Sequence, residues 1–313
     1  MKISLQLKYF LPLLLFCASA FAQKQPCTAA GETIPFLGIQ TIRLWPGDAP
    51  EAKGKACEDT PTLTVFYPRA GVANGSSVVI LPGGSHMRLA GDLEGREIAD
   101  WFTARGITAF ILQYRLGSNG YIFPVPLYDA RRAVQLVRSR AADYHLDPNR
   151  VVMIGFSAGG HLAALAATKP VAGNADANDP IDRVPSRPDY LVLGYPWIGA
   201  ISLDYSHLNY CKLMKVEDRC AELAKEFSPD LFVTKDTPPT FWYHTADDTT
   251  VPIEQGLRFY EALLKAGVPV EAHVFAHGAH GSGLGKGNPS LDQWPQLLET
   301  WLRAQGVIPQ AVH

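Results

Sequence analysis

The chain has 313 residues, 47% of them hydrophobic and 19% charged, with a formal net charge of −2. This balance excludes a disordered chain and a multispanning membrane protein. There is no basic surplus of the kind that marks a nucleic-acid binder, and the length suits one large domain or two small ones.

Residues 1–22 read MKISLQLKYFLPLLLFCASAFA: lysines at Lys2 and Lys8, an apolar run, then Ala20-Phe21-Ala22. That is the pattern of a cleavable export signal, and the run is too short to span a bilayer. The expected mature protein is a single domain over 23–313, periplasmic or extracellular, with no membrane attachment after cleavage. Cys27, Cys57, Cys211 and Cys220 remain in it. An even count in an exported protein suggests two disulfides, and sequence proximity favours Cys27–Cys57 and Cys211–Cys220.

Residues 40–45 and 62–67 read as early strands, and 77–81 (SVVIL) as an apolar strand that ends at Pro82-Gly83-Gly84. Residues 94–105 place Ile98, Trp101 and Phe102 on one helical face. A strand at 108–114 follows, then a helix at 127–144 with Ala130, Ala133, Val134 and Val137 as its apolar stripe. Residues 151–154 are a strand and 158–168 a helix of small residues. Strands at 190–195, 240–243 and 270–275 and helices at 253–266 and 291–305 complete the pattern. Apolar strands alternating with helices predict a mostly parallel central sheet with helices on both faces. Residues 197–237 break the rhythm and read as a small insertion near the sheet's carboxyl edge. Residues 174–188 are polar and read as an exposed loop.

Gly155-Phe156-Ser157-Ala158-Gly159 fits G-x-S-x-G between a strand and a helix, where a serine hydroxyl projects from a sharp turn. A serine nucleophile needs a base, and the base needs an orienting acid, which follow in the order acid then histidine. Asp247 and Asp248 compete for the acid, after the strand at 240–243. His277 and His280 compete for the base, after the strand at 270–275. An oxyanion hole requires backbone N–H groups from Ala158 and from the earlier turn, where Gly84 and Ser85 are the candidates. His86 in that turn and Trp197 are candidate substrate contacts. His161, His273 and His277 read as structural. No metal-ligand spacing is evident, and no cofactor is expected.

The stretches PGGSHMRLA, EGREIADWF, TAFILQYRL, PVPLYDARRAVQLVRSRA, LDPNRVVMIGFSAGGHLAA, RPDYLVLGYP, TPPTFWYHTADDTTVP and AHVFAHGAHGSGL run from about Val78 to Leu284. Together they resemble the α/β-hydrolase superfamily, and within it the acetylxylan-esterase-like and feruloyl-esterase-like carbohydrate esterases. The resemblance implies an α/β-hydrolase fold. It implies Asp248 as the acid, three residues before the Val of a D-x-x-V-P motif, and His280 as the base, in a G-x-H-G motif. One departure stands out: the family's turn often reads PGGGY and here reads PGGSH, which puts the acyl preference in doubt.

The resulting expectation is a secreted serine esterase that removes acetyl or other small acyl groups from acylated plant cell-wall oligo- or polysaccharide such as xylan. A feruloyl esterase, a peptidase or a formamidase-like enzyme shares the chemistry. An inactive carbohydrate-binding pseudo-hydrolase is the reading from a different class. Because the base must be neutral, activity is expected to fall on acidification.

Overall fold

The structure is a computed structural model that describes residues 33–34, 39–199, 211 and 217–310. The expected export signal at 1–22 and Cys27 lie outside the described residues, as do parts of the expected insertion at 197–237.

Among the described residues nine strands form one sheet: β1 Thr33–Ile34, β2 Ile39–Arg43, β3 Thr62–Phe66, β4 Ser77–Leu81, β5 Thr108–Gln113, β6 Val151–Phe156, β7 Tyr190–Gly194, β8 Thr240–Thr245 and β9 Val270–Phe275. Their order is β1-β2-β3-β5-β4-β6-β7-β8-β9. The pairings from β1 through β3 to β5 are antiparallel, and those from β5 through β4 to β9 are parallel. The predicted sheet is thus correct, with an antiparallel edge and a two-residue strand, β1, that the sequence pattern did not reveal.

β4 and β6 sit at the centre with every residue buried. Alternation along them sorts side chains to the two faces. Val79, Leu81, Val151 and Met153 join a core with helices α2 (Val125–Ser139), α3 (Ala158–Thr168) and α5 (Glu254–Lys265). Val78, Ile80, Val152 and Ile154 join the opposite core with α1 (Glu97–Thr103) and α6 (Trp294–Ala304). Helix α4, Cys220–Glu226, lies in the region predicted as an insertion. Side chains such as Phe102 and Leu298 are fully removed from water. Each such burial contributes roughly 2 kcal/mol.

Three expectations change in detail. The predicted helix at 94–105 begins as a wider turn over Asp92–Arg96, with N–H bonds reaching five residues back (Arg96 to Gly91, Glu97 to Asp92). The predicted helix at 127–144 stops at Ser139, and a short 3-10 turn Ala142–Tyr144 follows it. The polar loop at 174–188 is not loose: Arg132 binds Asp182 and Asp179, and Arg138 binds the Pro185 and Arg187 carbonyls.

The topology decides where the site falls. From β4 the chain crosses one way to β5, and from β5 it returns past β4 to β6. The crevice outside the carboxyl ends of β4 and β6 is the switch point where α/β sheets bind ligands. Leu81 is in register with Gly155, so both strands release their loops at the same height.

Candidate active site

β6 delivers the chain into a tight turn at Ser157, whose φ of 51° and ψ of −119° place a non-glycine residue in a strained region. The turn is close-packed. A side chain at Gly159 would put its Cβ 2.1 Å from the Leu81 carbonyl oxygen, so only glycine lets α3 approach β4 here. Ser157 is pinned at both backbone groups: its N–H donates to the Gly194 carbonyl, and its carbonyl accepts from Trp197 and His161.

Two loops bring the partners. His280 Nε2 lies 2.8 Å from Ser157 Oγ, and His280 Nδ1 lies 2.7 Å from Asp248 Oδ2. The second Asp248 oxygen accepts the Thr250 and Val251 N–H groups, both at 2.9 Å. Burial alone would raise the Asp248 pKa. Hydrogen bonds from His244, His280 and the Val251 N–H outweigh it and hold the carboxyl well below the usual range. A fixed anion at Nδ1 selects the tautomer that leaves Nε2 free to accept the serine proton.

The competing neighbours pair with each other. Asp247 accepts from His277 at 3.0 Å and from the Gly278 N–H at 2.9 Å, out at the surface. Its carboxyl is lowered mainly by the His277 bond. The geometry thus separates an inner Asp248–His280 pair from an exposed Asp247–His277 pair, one position earlier at the aspartate and three earlier at the histidine. His277 supports the loop, as expected.

The turn after β4 is held beside the serine. A Cβ on Gly83 would lie 2.9 Å from Ser157 Cβ. Gly84, Ser85 and His86 all have positive φ, at 128°, 60° and 58°. The Gly84 carbonyl accepts from Met87 and Arg88, and the Gly83 carbonyl from Ala90. The Gly83 N–H is committed to Glu94 Oε2 at 2.7 Å, which leaves the N–H groups of Gly84 and Ser85 as the candidates on this turn.

His86 corrects an expectation. It was a candidate substrate contact, yet it is 2% exposed and turned inward by the strained Ser85–His86 backbone. Its Nε2 lies 3.2 Å from His161 Nδ1, and its ring meets Phe123 edge-on. His161 in turn reaches the Phe227 carbonyl at 2.6 Å. Burial keeps this pair uncharged: His161 is pushed down to about 4, and His86 well below its usual range, with the neighbouring His161 adding to the effect. Trp197 remains next to Ser157, half-buried, its ring 4.6 Å from that of His161. His273 pairs with Glu271 on the outer strand, at 2.8 Å.

Sequence reasoning missed two buried groups. His244, at the end of β8, lies 2.9 Å from the Val251 carbonyl and 3.3 Å from Asp248, and so braces the acid loop. Its signal was present: a polar residue at a strand's carboxyl end, four positions before the acid. Glu94 was read only as the start of a helix. Its Oε1 accepts from Tyr195 Oη at 2.8 Å, and Tyr195 Oη accepts from the Gly283 N–H at 3.1 Å.

Cys211 and Cys220 form a disulfide with a Cα separation of 5.5 Å, as expected. Cys57 is disulfide-bonded, whereas the Cys27 half of the expected pairing lies outside the described residues. Among the described residues no cluster of three His, Cys, Asp or Glu side chains is arranged to hold a metal ion.

A sheet switching direction at β4 and β6, a serine on the strand-to-helix turn and a histidine–aspartate pair from later loops define an α/β-hydrolase. The chain belongs to the BD-FAE family, whose model matches residues 63–263. It is 30% identical over 236 residues to an acetylxylan esterase of Xylanibacter ruminicola, covering 74% of this chain and 46% of that protein. It is also 30% identical over 227 residues to endo-1,4-beta-xylanase B of Butyrivibrio fibrisolvens, covering 69% of this chain and 35% of that one. The chain therefore spans about half the length, or less, of these curated relatives. Among solved structures, the acetyl ester-xyloside bifunctional hydrolase of Caldicellulosiruptor lactoaceticus is 36% identical with a TM-score of 0.79, covering 86% of this chain and 97% of that one. The propionate-bound esterase Est2 of Thermogutta terrifontis is 26% identical with a TM-score of 0.69, over 85% of this chain and 97% of that one.

Proposed function

We propose that this chain is an exported carbohydrate esterase that removes acetyl, or another small acyl group, from xylan-type polysaccharide or its oligomers. The observation that carries the reading is the unbroken line of contacts from Ser157 Oγ to His280 to Asp248, at 2.8 and 2.7 Å. The names of the Xylanibacter and Caldicellulosiruptor proteins support the ester and the sugar.

In this mechanism His280 takes the Ser157 proton as the hydroxyl attacks the ester carbonyl. Asp248 stabilises the imidazolium that results. The N–H groups of Ala158, Gly84 and Ser85 stabilise the oxyanion. His280 returns the proton to the departing sugar oxygen as its bond to the acyl carbon breaks, leaving a sugar hydroxyl and an acyl-Ser157. Water, activated by the same histidine, then releases the acid. Trp197, beside the nucleophile, is the candidate wall for acyl group or sugar.

Export is supported by residues 1–22 and by the Cys211–Cys220 disulfide. Among the described residues no helix is long and apolar enough to cross a membrane. The mature chain is proposed to be one α/β-hydrolase domain over 23–313.

The experiment is twofold. A phosphonate serine probe should label Ser157 stoichiometrically and abolish activity; a folded protein that takes no label is not a serine esterase. Initial rates should then favour acetylated xylan and short 4-nitrophenyl esters over a feruloylated sugar. Preference for long acyl chains would sink the carbohydrate assignment, and preference for feruloyl would move it to the feruloyl esterases.

A further inference from the structure

We propose that Glu94 is a positioning residue for this esterase, a single buried carboxylate that ties the oxyanion turn to the loop carrying His280. The proposal rests on the reading of Ser157, His280 and Asp248 given above.

Glu94 is 3% exposed, and among the described residues it forms no ion pair. A carboxylate buried in this way is costly unless hydrogen bonds compensate it. Both oxygens are used, each toward a different part of the site. Oε2 accepts the Gly83 N–H at 2.7 Å and so fixes the peptide just before Gly84 and Ser85. Oε1 accepts from Tyr195 Oη at 2.8 Å. Tyr195 accepts the N–H of Gly283, three residues beyond His280, and its ring stands edge-on to the His280 ring at 5.0 Å. One side chain thus sets the distance between the group that receives the oxyanion and the group that receives the proton.

The local backbone is built for this task. Glu94 lies on the widened turn Asp92–Arg96, where bonds reach five residues back, and such turns recur at functional sites. Glutamine keeps the size but replaces one acceptor oxygen by an N–H donor, so the Gly83 and Tyr195 bonds cannot both be kept as they stand. Burial raises the Glu94 pKa against the pull of Tyr195, Gly83, His280 and Arg88, consistent with a group held for its geometry at some cost.

The test uses Glu94→Gln, Tyr195→Phe and the double variant in the full-length protein. Turnover of 4-nitrophenyl acetate is measured per phosphonate-titrated Ser157, so that misfolded protein does not count. Glu94→Gln should lower kcat on the order of 10–100-fold, as expected for a group that orients catalytic ones, with KM within about threefold of wild type. Tyr195→Phe should lower kcat less, and the double variant should fall no further than Glu94→Gln alone, because both act on one linkage. A merely structural role would lower the thermal midpoint while leaving kcat per labelled serine unchanged, and that result overturns the proposal. Effects that multiply in the double variant overturn it too. If Glu94→Gln does not fold, Tyr195→Phe decides: lower kcat at constant KM supports the linkage, and unchanged kcat removes it. A wild type that takes no label sinks the reading of Ser157 and this proposal with it. A labelled wild type beside an unimpaired Glu94→Gln sinks this proposal alone.

Discussion

Asp247 and Asp248 are adjacent in sequence, yet their side chains do different things. Asp248 is buried, bonded to His280 and to two backbone N–H groups, while Asp247 sits at the surface with His277. Asp248→Asn should therefore lower kcat on the order of 10³–10⁴-fold, because the amide favours the wrong imidazole tautomer. Asp247→Asn should stay within a few-fold, since exposed pairs contribute little. Steady-state kinetics on one short ester reads both, and equal losses would show that the acid has been misassigned. Burial, which separates the two, is not visible in the dipeptide itself. The resemblance implies Asp248 because a fixed distance to Val251 and Pro252 is a sequence property.

At the scale of elements, the junction of β4, β6 and α3 is the tightest part of the fold. A methyl group at Gly159 meets two backbone carbonyls, at 2.1 Å from Leu81 and 2.6 Å from Pro82. Neither can rotate away, so α3 and β4 must separate. Gly159→Ala should cost about 3 kcal/mol in a denaturant titration and lower activity as well, since Pro82 begins the oxyanion turn. Gly91, with open space around it and a helical φ of −63°, is the control. Gly91→Ala should be neutral or stabilise by up to about 1 kcal/mol. The strands here were legible because each is a short, continuous apolar run. Helix ends were less so: beyond Ser139 the apolar spacing continues through Ala141, Tyr144 and Leu146, while the backbone turns at His145, where φ is 55°. Glu94 was illegible as anything but a helix residue, because its two partners stand 11 and 101 positions away.

For the molecule as a whole, the buried pair His86–His161 predicts acid sensitivity. His161 falls from an ordinary 6.5 to about 4 through burial, so between those values the unfolded chain binds the extra proton. The stabilisation is complete above pH 6.5 and is lost as pH falls toward 4, a change of about 3 kcal/mol. His86 acts in the same direction. Asp129, raised to about 6 by burial against the pull of Arg115, acts oppositely but equally in any His161 variant. Denaturation midpoints at pH 7 and pH 5 should thus differ more for the wild type than for His161→Gln. Equal slopes would mean that the pair is not the source. None of this follows from the sequence, where His86 stands 75 residues from His161 and reads as a candidate substrate contact in the turn after β4. The near-neutral net charge, by contrast, was legible from the start and suits the uncharged polymeric substrate proposed above.

The doubled Asp–His arrangement has a consequence for how this chain can vary. The exposed pair and the buried pair are built from consecutive aspartates and from histidines three apart. Substitutions at Asp247 or His277 touch only a surface clasp. A single-residue deletion between Thr245 and Asp248 instead pulls Asp248 into the place of Asp247 and leaves His280 facing no anion. The outer clasp is therefore tolerant of changes in chemistry, while the loop that holds both aspartates is intolerant of changes in length.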